Sequence, residues 1–232
     1  MKLVIDKNGN KYLWERGDLH TSLGVIRSKD IKNGVVKSNL GNDFLVFDAD
    51  FLDKLEKIKR GPAILNKKDI GQIIAYTGIG QNSKIVDVGS GSGVLASFLG
   101  RISKNVVSYE KNKEFFKIAK DNLNFLGIKI KLKNKDIKNG IDEKNLDLIT
   151  LDILDPWNVF HHARKKLKSG GFLVCYLTNI NQVIACVKHL EGFYLETVLE
   201  NIEREWLVEK LKVRPKHHGL MHTGWLLFAR KI

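Results

Sequence analysis

The stretch Lys84–Gly93, KIVDVGSGSG, decides the fold of this chain. β-Branched residues surround Asp87 in its first half, and the glycines Gly89, Gly91 and Gly93 follow. A helical pattern, VLASFLGR, begins directly after the last glycine. Glycine is needed where the backbone turns sharply and approaches a ligand with no Cβ in the way. A strand, a glycine turn and a helix in this order predict the opening of a βαβ unit that binds a nucleotide cofactor.

The spacing of the glycines narrows the kind of cofactor. The pattern is G-x-G-x-G with Asp87 just before the first glycine, whereas a pyrophosphate-binding loop more often reads G-x-G-x-x-G. This variant resembles the first motif of the class I S-adenosylmethionine (SAM)-dependent methyltransferases. A Gly/Ser loop after a strand is also compatible with a simple tight turn, so the loop alone does not decide the cofactor.

Length and composition limit the class of protein. The 232 residues, 43% of them hydrophobic, suit one α/β domain with an appendage or two domains. No apolar run approaches the roughly 20 residues of a membrane span, and Met1–Asn10 lacks the apolar region of a signal peptide. Cys175 and Cys186 lie in apolar segments, which predicts neither a disulfide scaffold nor a zinc ribbon. We therefore expect a cytoplasmic protein.

The formal net charge of +13 comes from 39 basic and 26 acidic residues. Basic chains attract polyanions, because Lys and Arg release condensed counterions from phosphates. A compositional bias towards lysine, in a chain that is also rich in Ile and Asn, explains the same charge. The charge is therefore compatible with a nucleic-acid partner without establishing one.

The chain is predicted to form two domains, residues 1–58 and 59–232. Short alternating segments broken by glycines fill residues 1–55 and predict a small β-rich N-terminal domain, a barrel or a sandwich. Such a module either holds nucleic acid or serves as a structural cap. Helical spacing of apolar residues predicts a helix over 51–60.

Strands and helices alternate from residue 84 to about residue 190, and strands follow. This order predicts an α/β fold with a Rossmann-like, doubly wound sheet and an antiparallel C-terminal edge. The helix HHARKKLKSGG is predicted to end at Gly170 and Gly171. Residues 193–215 are predicted to form two long strands.

Acidic residues follow three of the predicted strands. Glu110 lies 19 residues after Gly91, where a Rossmann-type fold places an acid on the ribose hydroxyls. Asp136 would accept a hydrogen bond from the adenine amine, or it is simply a turn residue. Asp152 ends a nearly continuous apolar run, as expected of a buried parallel strand. Because open α/β sheets bind ligands at the carboxyl ends of their strands, Asp152 lies in a functional position by topology.

Two further groups of residues are candidates for substrate contact. Trp157 follows Asp155 and Pro156, and it either stacks on a base or the cofactor or caps the sheet. The second group consists of basic residues near the C-terminus that suit phosphates: Arg204, Arg214, Lys216, His217, His218 and His222. The pattern H-H-x3-H has no carboxylate or cysteine partner nearby, so no metal site is predicted.

Motifs from about residue 60 to the C-terminus resemble the tRNA (adenine-N1)-methyltransferases of the TrmI type. They are KKDIGQII, VDVGSGSG, SYE, LDILDPW, GGFLVCYLTNINQV, EREWLVEKLKVRP and HTGWLLFARK. The first four indicate a class I methyltransferase, and the last three are much more specific. The resemblance implies SAM as cofactor and methylation of N1 of an adenosine in the tRNA T-loop, at position 58 or also at the adjacent position. It also implies a homotetramer with a basic surface for tRNA.

The resemblance implies roles for individual residues. Asp152 would be the catalytic aspartate. The cofactor would be held by the first motif, by strand-end acids and by one aromatic residue: Asp87, Gly89, Ser90, Gly91, Ser92, Gly93, Val94, Glu110, Phe115, Asp136 and Asp152. The tRNA would be contacted by Trp157, Tyr176, Arg204, Arg214 and His222.

The sequence departs from the family pattern at one place. Family members often carry a tyrosine and a proline before the K-D pair, where this chain has Asn66 and Lys67. The aromatic partner of the target base is therefore open: either Trp157 or Tyr176 replaces it, or the substrate preference differs.

Two other functions are compatible with parts of the sequence. A class I methyltransferase acting on a small molecule or a protein would share the glycine loop, but the basic charge and the C-terminal motifs disfavour it. A non-catalytic tRNA-binding subunit would lack the cofactor motifs, whereas Gly89, Glu110 and Asp152 are intact here.

Overall fold

A computed structural model describes residues 1–61, 64–209, 211–216, 219 and 222–232. The chain divides into two compact units, residues 1–59 and 60–232. Within these described ranges, no helix is long and apolar enough to cross a membrane.

The first unit consists of short antiparallel strands and one short helix. Its elements are β1 (Lys2–Asp6), β2 (Lys11–Trp14), β3 (Leu19–Thr21), β4 (Gly24–Ile26), β5 (Gly34–Lys37), β6 (Asp43–Asp48) and α1 (Phe51–Leu55). Strands β2-β1-β6-β5 form one sheet, and β3 and β4 form a hairpin. Its core includes Val4, Ile26, Phe44 and Val46. The β-rich prediction is confirmed, whereas the helix ends at Leu55 and is shorter than its pattern indicated.

The second unit contains nine strands and five helices among its described residues. The strands are β7 (Lys84–Val88), β8 (Asn105–Glu110), β9 (Lys131–Asn134), β10 (Leu146–Leu151), β11 (Leu167–Leu177), β12 (Phe193–Glu200), β13 (Trp206–Glu209), β14 (Lys212–Pro215) and β15 (Trp225–Lys231). The helices are α2 (Lys67–Thr77), α3 (Val94–Ile102), α4 (Lys113–Leu126), α5 (Phe160–Lys166) and α6 (Ile180–Lys188).

Seven of these strands form the central sheet, in the order β12-β15-β11-β10-β7-β8-β9. Strands β7 to β11 run parallel to one another, and β15 pairs antiparallel with both β11 and β12. The predicted doubly wound sheet with an antiparallel edge is confirmed. Because the parallel strands all end at one edge of the sheet, the residues that follow them can meet there.

Local sequence decides where the helices begin and end. Asn112 accepts hydrogen bonds from two backbone N–H groups at the start of α4, and Asn179 and Gln182 form a capping box at the start of α6. Gly78 and Gly127 adopt the left-handed conformation at the ends of α2 and α4. These caps fix the loops that connect each helix to a strand end.

The predicted glycine end of helix α5 is wrong. The helix stops at Lys166, and β11 already includes Gly170 and Gly171. Leu167 pairs with Leu146, after which the register shifts between β10 and β11, and a Cβ at Gly171 would lie 2.8 Å from the carbonyl oxygen of Leu146. The glycines therefore permit an irregularity in the strand pairing. Residues 193–215 also differ from the prediction, since they form β12 and the separate hairpin β13–β14.

Candidate active site

Four residues lie side by side at the carboxyl edge of the sheet: Glu110, Gly89, Asp152 and Tyr176. The residues one step before them pair across β8, β7, β10 and β11 in a continuous register. The N–H of Asp152 donates to the carbonyl of Val88, 2.9 Å away. Neighbouring strands are about 4.8 Å apart, so this row brings two carboxylates, a glycine turn and a phenol together.

Gly89 is required by the strand beside it. Its φ is +92°, and a Cβ at this position would lie 2.2 Å from the carbonyl oxygen of Asp152. Any larger residue would therefore push the glycine turn away from the end of β10. The first glycine of the motif thus joins the predicted cofactor loop to the predicted catalytic aspartate.

Glu110 is held by the backbone on both sides of it. One carboxylate oxygen accepts from the N–H of Gly91 at 3.0 Å, and the other accepts from the N–H of Asn112 at 2.9 Å. These two bonds fix the carboxylate at the mouth of the glycine turn. Each oxygen keeps a second lone pair, so the group can still accept hydrogen bonds from a ligand.

Asp87 lies in β7, two residues before Gly89, and is buried. It accepts from the hydroxyls of Ser108 at 2.6 Å and Thr150 at 2.8 Å, which come from the two neighbouring strands. Ser108 is also 2.6 Å from the hydroxyl of Ser90. Burial raises the pKa of Asp87. The residue therefore supports the glycine turn from beneath.

Asp152 is half-buried at the end of β10. Burial, followed by the charges of Asp87 and Glu110, raises the pKa of Asp152 to about 7. The carboxyl is consequently poised between its neutral and ionised forms at physiological pH. A positive charge brought next to it would favour the carboxylate.

A cavity of about 350 Å³ opens beside the row. Six of the predicted cofactor residues line it: Gly89, Gly91, Glu110, Phe115, Asp136 and Asp152. The other predicted cofactor residues lie behind this surface. Ser92 accepts from the N–H of Gly61 at 2.9 Å, and Gly93 and Val94 are buried at the start of α3.

The cavity also contains residues that the sequence did not reveal. Lys111, Lys135, Lys138, Ile137 and Leu154 line it, and all follow strand ends closely in the sequence. Their positions close to the strand-end acids in the sequence are the signal that could have identified them. Leu154 is exposed, and its carbonyl accepts from the side-chain amide of Gln182 at 2.7 Å.

The two aromatic candidates for the target base lie in different environments. Trp157 packs against the hydrophobic core, and its ring stacks on His189 with 6.4 Å between centroids. Tyr176 is half-buried in the row beside Asp152, and its hydroxyl donates to the carbonyl of Thr223 at 2.7 Å. Trp157 thus has the contacts of a capping residue, whereas Tyr176 lies next to the predicted catalytic group.

The described members of the predicted phosphate contacts have different surroundings. Arg204 and Arg214 are exposed, and Lys216 pairs with Glu205. His222 lies 2.5 Å from Glu200, and its ring contacts Trp225. His217 and His218 lie outside the described residues. Within the described part of the chain, no three His, Cys, Asp or Glu side chains are grouped so that they could hold a metal ion.

The chain is similar to known tRNA methyltransferases. The family described as tRNA methyltransferase complex GCD14 subunit matches residues 57–218. A tRNA (adenine(57)-N(1)/adenine(58)-N(1))-methyltransferase TrmI from Methanocaldococcus jannaschii is 35% identical over 99% of this chain and 94% of its own length.

Two solved structures are similar over the whole chain. A SAM-dependent O-methyltransferase from Thermotoga maritima superposes with a TM-score of 0.91 and 28% identity, covering 100% of this chain and 92% of its own. The tRNA (m1A58) methyltransferase TrmI from Aquifex aeolicus gives a TM-score of 0.86 at 24% identity, covering 100% and 96%. The similarity to the Aquifex aeolicus structure shows that the two chains share a fold.

Proposed function

Since this chain belongs to the tRNA methyltransferase complex GCD14 subunit family, we propose that it methylates N1 of an adenosine in tRNA with SAM as the methyl donor. The target is adenosine 58 of the T-loop, and the adjacent position 57 is a second target. The observation that carries the proposal is the row of Glu110, Gly89 and Asp152 beside one cavity. This row combines a cofactor cradle with a carboxylate at the point of reaction.

The residues that line the cavity support SAM as its ligand. Gly89 and Gly91 line the cavity without side chains, so a ligand can lie directly against their backbone. Glu110 can accept from the ribose hydroxyls, and Asp136 can accept from the adenine amine. Phe115 and Ile137 provide apolar walls. When bound, SAM supplies an electrophilic methyl group on a positively charged sulfur.

Asp152 acts on the target base as a carboxylate. N1 of adenine has a free lone pair and no proton at neutral pH, so no base is needed before it attacks. The methylated ring becomes cationic, and a carboxylate beside the exocyclic amine stabilises that developing charge. The same contact orients the ring relative to the methyl donor, and this orientation lowers the activation barrier. Asp152 is thus an electrostatic and orienting group rather than a proton acceptor.

Tyr176 is the aromatic residue that we assign to the target base. It lies beside Asp152 in the row, whereas Trp157 contacts the core and His189. A ring at this place offers a flat surface to an extruded purine, and an adenine folded into tRNA must leave its stack to be methylated. Tyr176 thereby takes the role of the tyrosine that family members often carry where this chain has Asn66.

The tRNA would be held by the basic surface and by more than one copy of the chain. Arg204, Arg214 and His222 are exposed and can contact phosphates. We assign the protein to a homotetramer, on the basis of its resemblance to the TrmI type. The β13–β14 hairpin supports this, because its exposed face pairs Val208 with Val213 and also carries Trp206. An apolar face of this kind suits a second copy of the chain. A tRNA substrate also agrees with a cytoplasmic location.

The proposal is tested with unmodified tRNA transcript and labelled SAM, followed by mass analysis of the nucleosides. We expect 1-methyladenosine from the wild-type protein and a rate lower by orders of magnitude from Asp152→Ala, with SAM affinity measured separately. Detection of a 2′-O-methylated nucleoside would instead mean that the protein is an O-methyltransferase that acts on the ribose. Tight tRNA binding without any methyl transfer would favour a non-catalytic subunit.

A further inference from the structure

A closed polar cluster joins the start of α2 to the segment before β15. The ammonium of Lys68 donates to Asp69 at 2.7 Å and to the hydroxyl of Thr223 at 2.6 Å. That hydroxyl in turn donates to the other carboxylate oxygen of Asp69 at 2.8 Å. The side chains of Lys68 and Asp69 are only 7% and 1% exposed. The cluster is therefore a buried ion pair that is completed by one threonine.

Stability alone does not account for such a cluster. Removing two charges from water is costly, and well-packed apolar residues often stabilise a protein as well as a buried ion pair does. In this protein the ion pair and its threonine link the start of α2 to the segment before β15.

The cluster holds the segment that contacts Tyr176. The phenol of Tyr176 donates to the backbone carbonyl of Thr223 at 2.7 Å. At the next residue, Gly224, a Cβ would lie 2.9 Å from the Tyr176 ring and 2.7 Å from the carbonyl of Leu177. The backbone of residues 223–224 thus lies directly against the tyrosine, and the side chain of Thr223 ties that backbone to α2.

Tyr176 connects this cluster to the predicted catalytic group. It follows Cys175, which pairs with Leu151, so Tyr176 and Asp152 lie side by side on one face of the sheet. Burial, and then the charges of Asp69 and Asp152, raise the pKa of Tyr176. The phenol is therefore hydrogen-bonded to the segment that the cluster holds, and it is close enough to Asp152 to feel its charge.

We infer that Lys68, Asp69 and Thr223 are positioning residues for methyl transfer, which act by holding the ring of Tyr176 beside Asp152. The inference rests on the proposed function, because it assigns the ring to the wall of the target-adenine site. A ring that is displaced by even 1 Å would misplace the base relative to the methyl donor. Such a displacement is enough to cost a rate roughly a hundredfold.

The test measures tRNA methylation by Thr223→Val, Thr223→Ser, Tyr176→Phe and the double variant Thr223→Val/Tyr176→Phe. Valine keeps the shape of the threonine and removes its hydroxyl, and serine restores the hydroxyl. We expect kcat/KM for tRNA to fall roughly tenfold to a hundredfold in Thr223→Val and to recover in Thr223→Ser. The SAM dissociation constant, measured by calorimetry, should stay within twofold of the wild-type value, a margin of about 0.4 kcal/mol.

The double variant separates positioning from general stabilisation. If Thr223 acts through Tyr176, the double variant should be no slower than the slower single variant, whereas independent effects would multiply. Thr77→Val is the matched control, because Thr77 also donates from α2, to the carbonyl of Ile73 at 2.6 Å, but away from the row. It should lower the melting temperature without lowering kcat/KM.

Several outcomes would overturn the inference. They are multiplicative effects in the double variant, a Thr223→Val enzyme with wild-type kcat/KM, or a Tyr176→Phe enzyme with wild-type kcat/KM. The kcat/KM of Tyr176→Phe tests the inference even if Thr223→Val does not fold, because Tyr176→Phe is a mild change that removes a single hydroxyl. Wild-type protein that methylates no tRNA adenosine would instead refute the proposed function, which keeps the two failures distinct.

Discussion

Replacing Asp152 with Asn should stabilise the cofactor-free protein at high pH while removing its activity. The surroundings raise the pKa of Asp152 from 3.8 to about 7. This difference of about 3 units corresponds to about 4 kcal/mol, at about 1.4 kcal/mol per unit. Because Asp152 itself is partly exposed to solvent, which reduces the cost of its charge, we expect a gain of about 1–3 kcal/mol.

The sign follows from proton binding. Between pH 3.8 and about pH 7, the folded protein keeps a proton on Asp152 that the unfolded chain has lost. The wild-type free energy of unfolding therefore falls as pH rises through this window, and the loss is complete above the folded-state pKa. Asparagine resembles the protonated acid and has no proton to lose. The stability difference between the two proteins should thus be small at pH 4 and largest at pH 8.5.

Urea unfolding of both proteins at pH 4, 5.5, 7 and 8.5 measures this difference, with pH 4 as the internal control. Methylation assays on the same samples should show a kcat lower by about 10² to 10³, because a neutral amide cannot stabilise the cationic product ring. A difference in unfolding free energy that is the same at every pH would refute our account of the buried carboxylate. Wild-type turnover by Asp152→Asn would refute its catalytic role.

Three further predictions concern the same row. Gly89→Ala places a Cβ 2.2 Å from the carbonyl oxygen of Asp152, so it should lower the free energy of unfolding by about 2 kcal/mol or more. Unchanged stability together with unchanged SAM affinity would contradict the described turn. Thr150→Val leaves Asp87 with Ser108 as its remaining side-chain donor. The free energy of unfolding in urea should fall by about 1–3 kcal/mol. An unchanged value would show that the buried acid needs only one donor. The value of kcat/KM for SAM should rise with pH and level off above about pH 7, because the free enzyme needs Asp152 as a carboxylate; a flat profile from pH 5.5 to 8.5 would argue against this requirement.

The sequence was sufficient to predict the central sheet and the position of the cavity. Asp152 follows a strand that is apolar along its length, and Gly89 to Gly93 follow another strand. Parallel strands end at a common edge, so the order of elements alone places these residues together. Glu110 was predicted on the same principle, and the structure places it beside the glycine turn.

The remaining features of the fold and the site depend on contacts between residues that are far apart in the sequence, and no local sequence pattern indicates such contacts. Lys68 and Thr223 are 155 residues apart, and their bond depends on how α2 packs against the start of β15. Gly170 and Gly171 have the composition of a helix end, but the pairing of β10 with β11 decides their conformation. The choice between Trp157 and Tyr176 likewise required the three-dimensional arrangement, because either aromatic residue suits a base in the sequence.

The most direct test of the account locates the methyl group on the tRNA. Unmodified transcript is incubated with SAM and the wild-type protein, and reverse transcription then reports every base whose Watson–Crick edge is blocked, as a methyl group on N1 of adenine blocks it. We predict a stop at adenosine 58, with a second stop at position 57 where that base is adenosine, and stops that accumulate about 10² to 10³ times more slowly with Asp152→Asn. Methyl incorporation without a stop at either position would contradict the account.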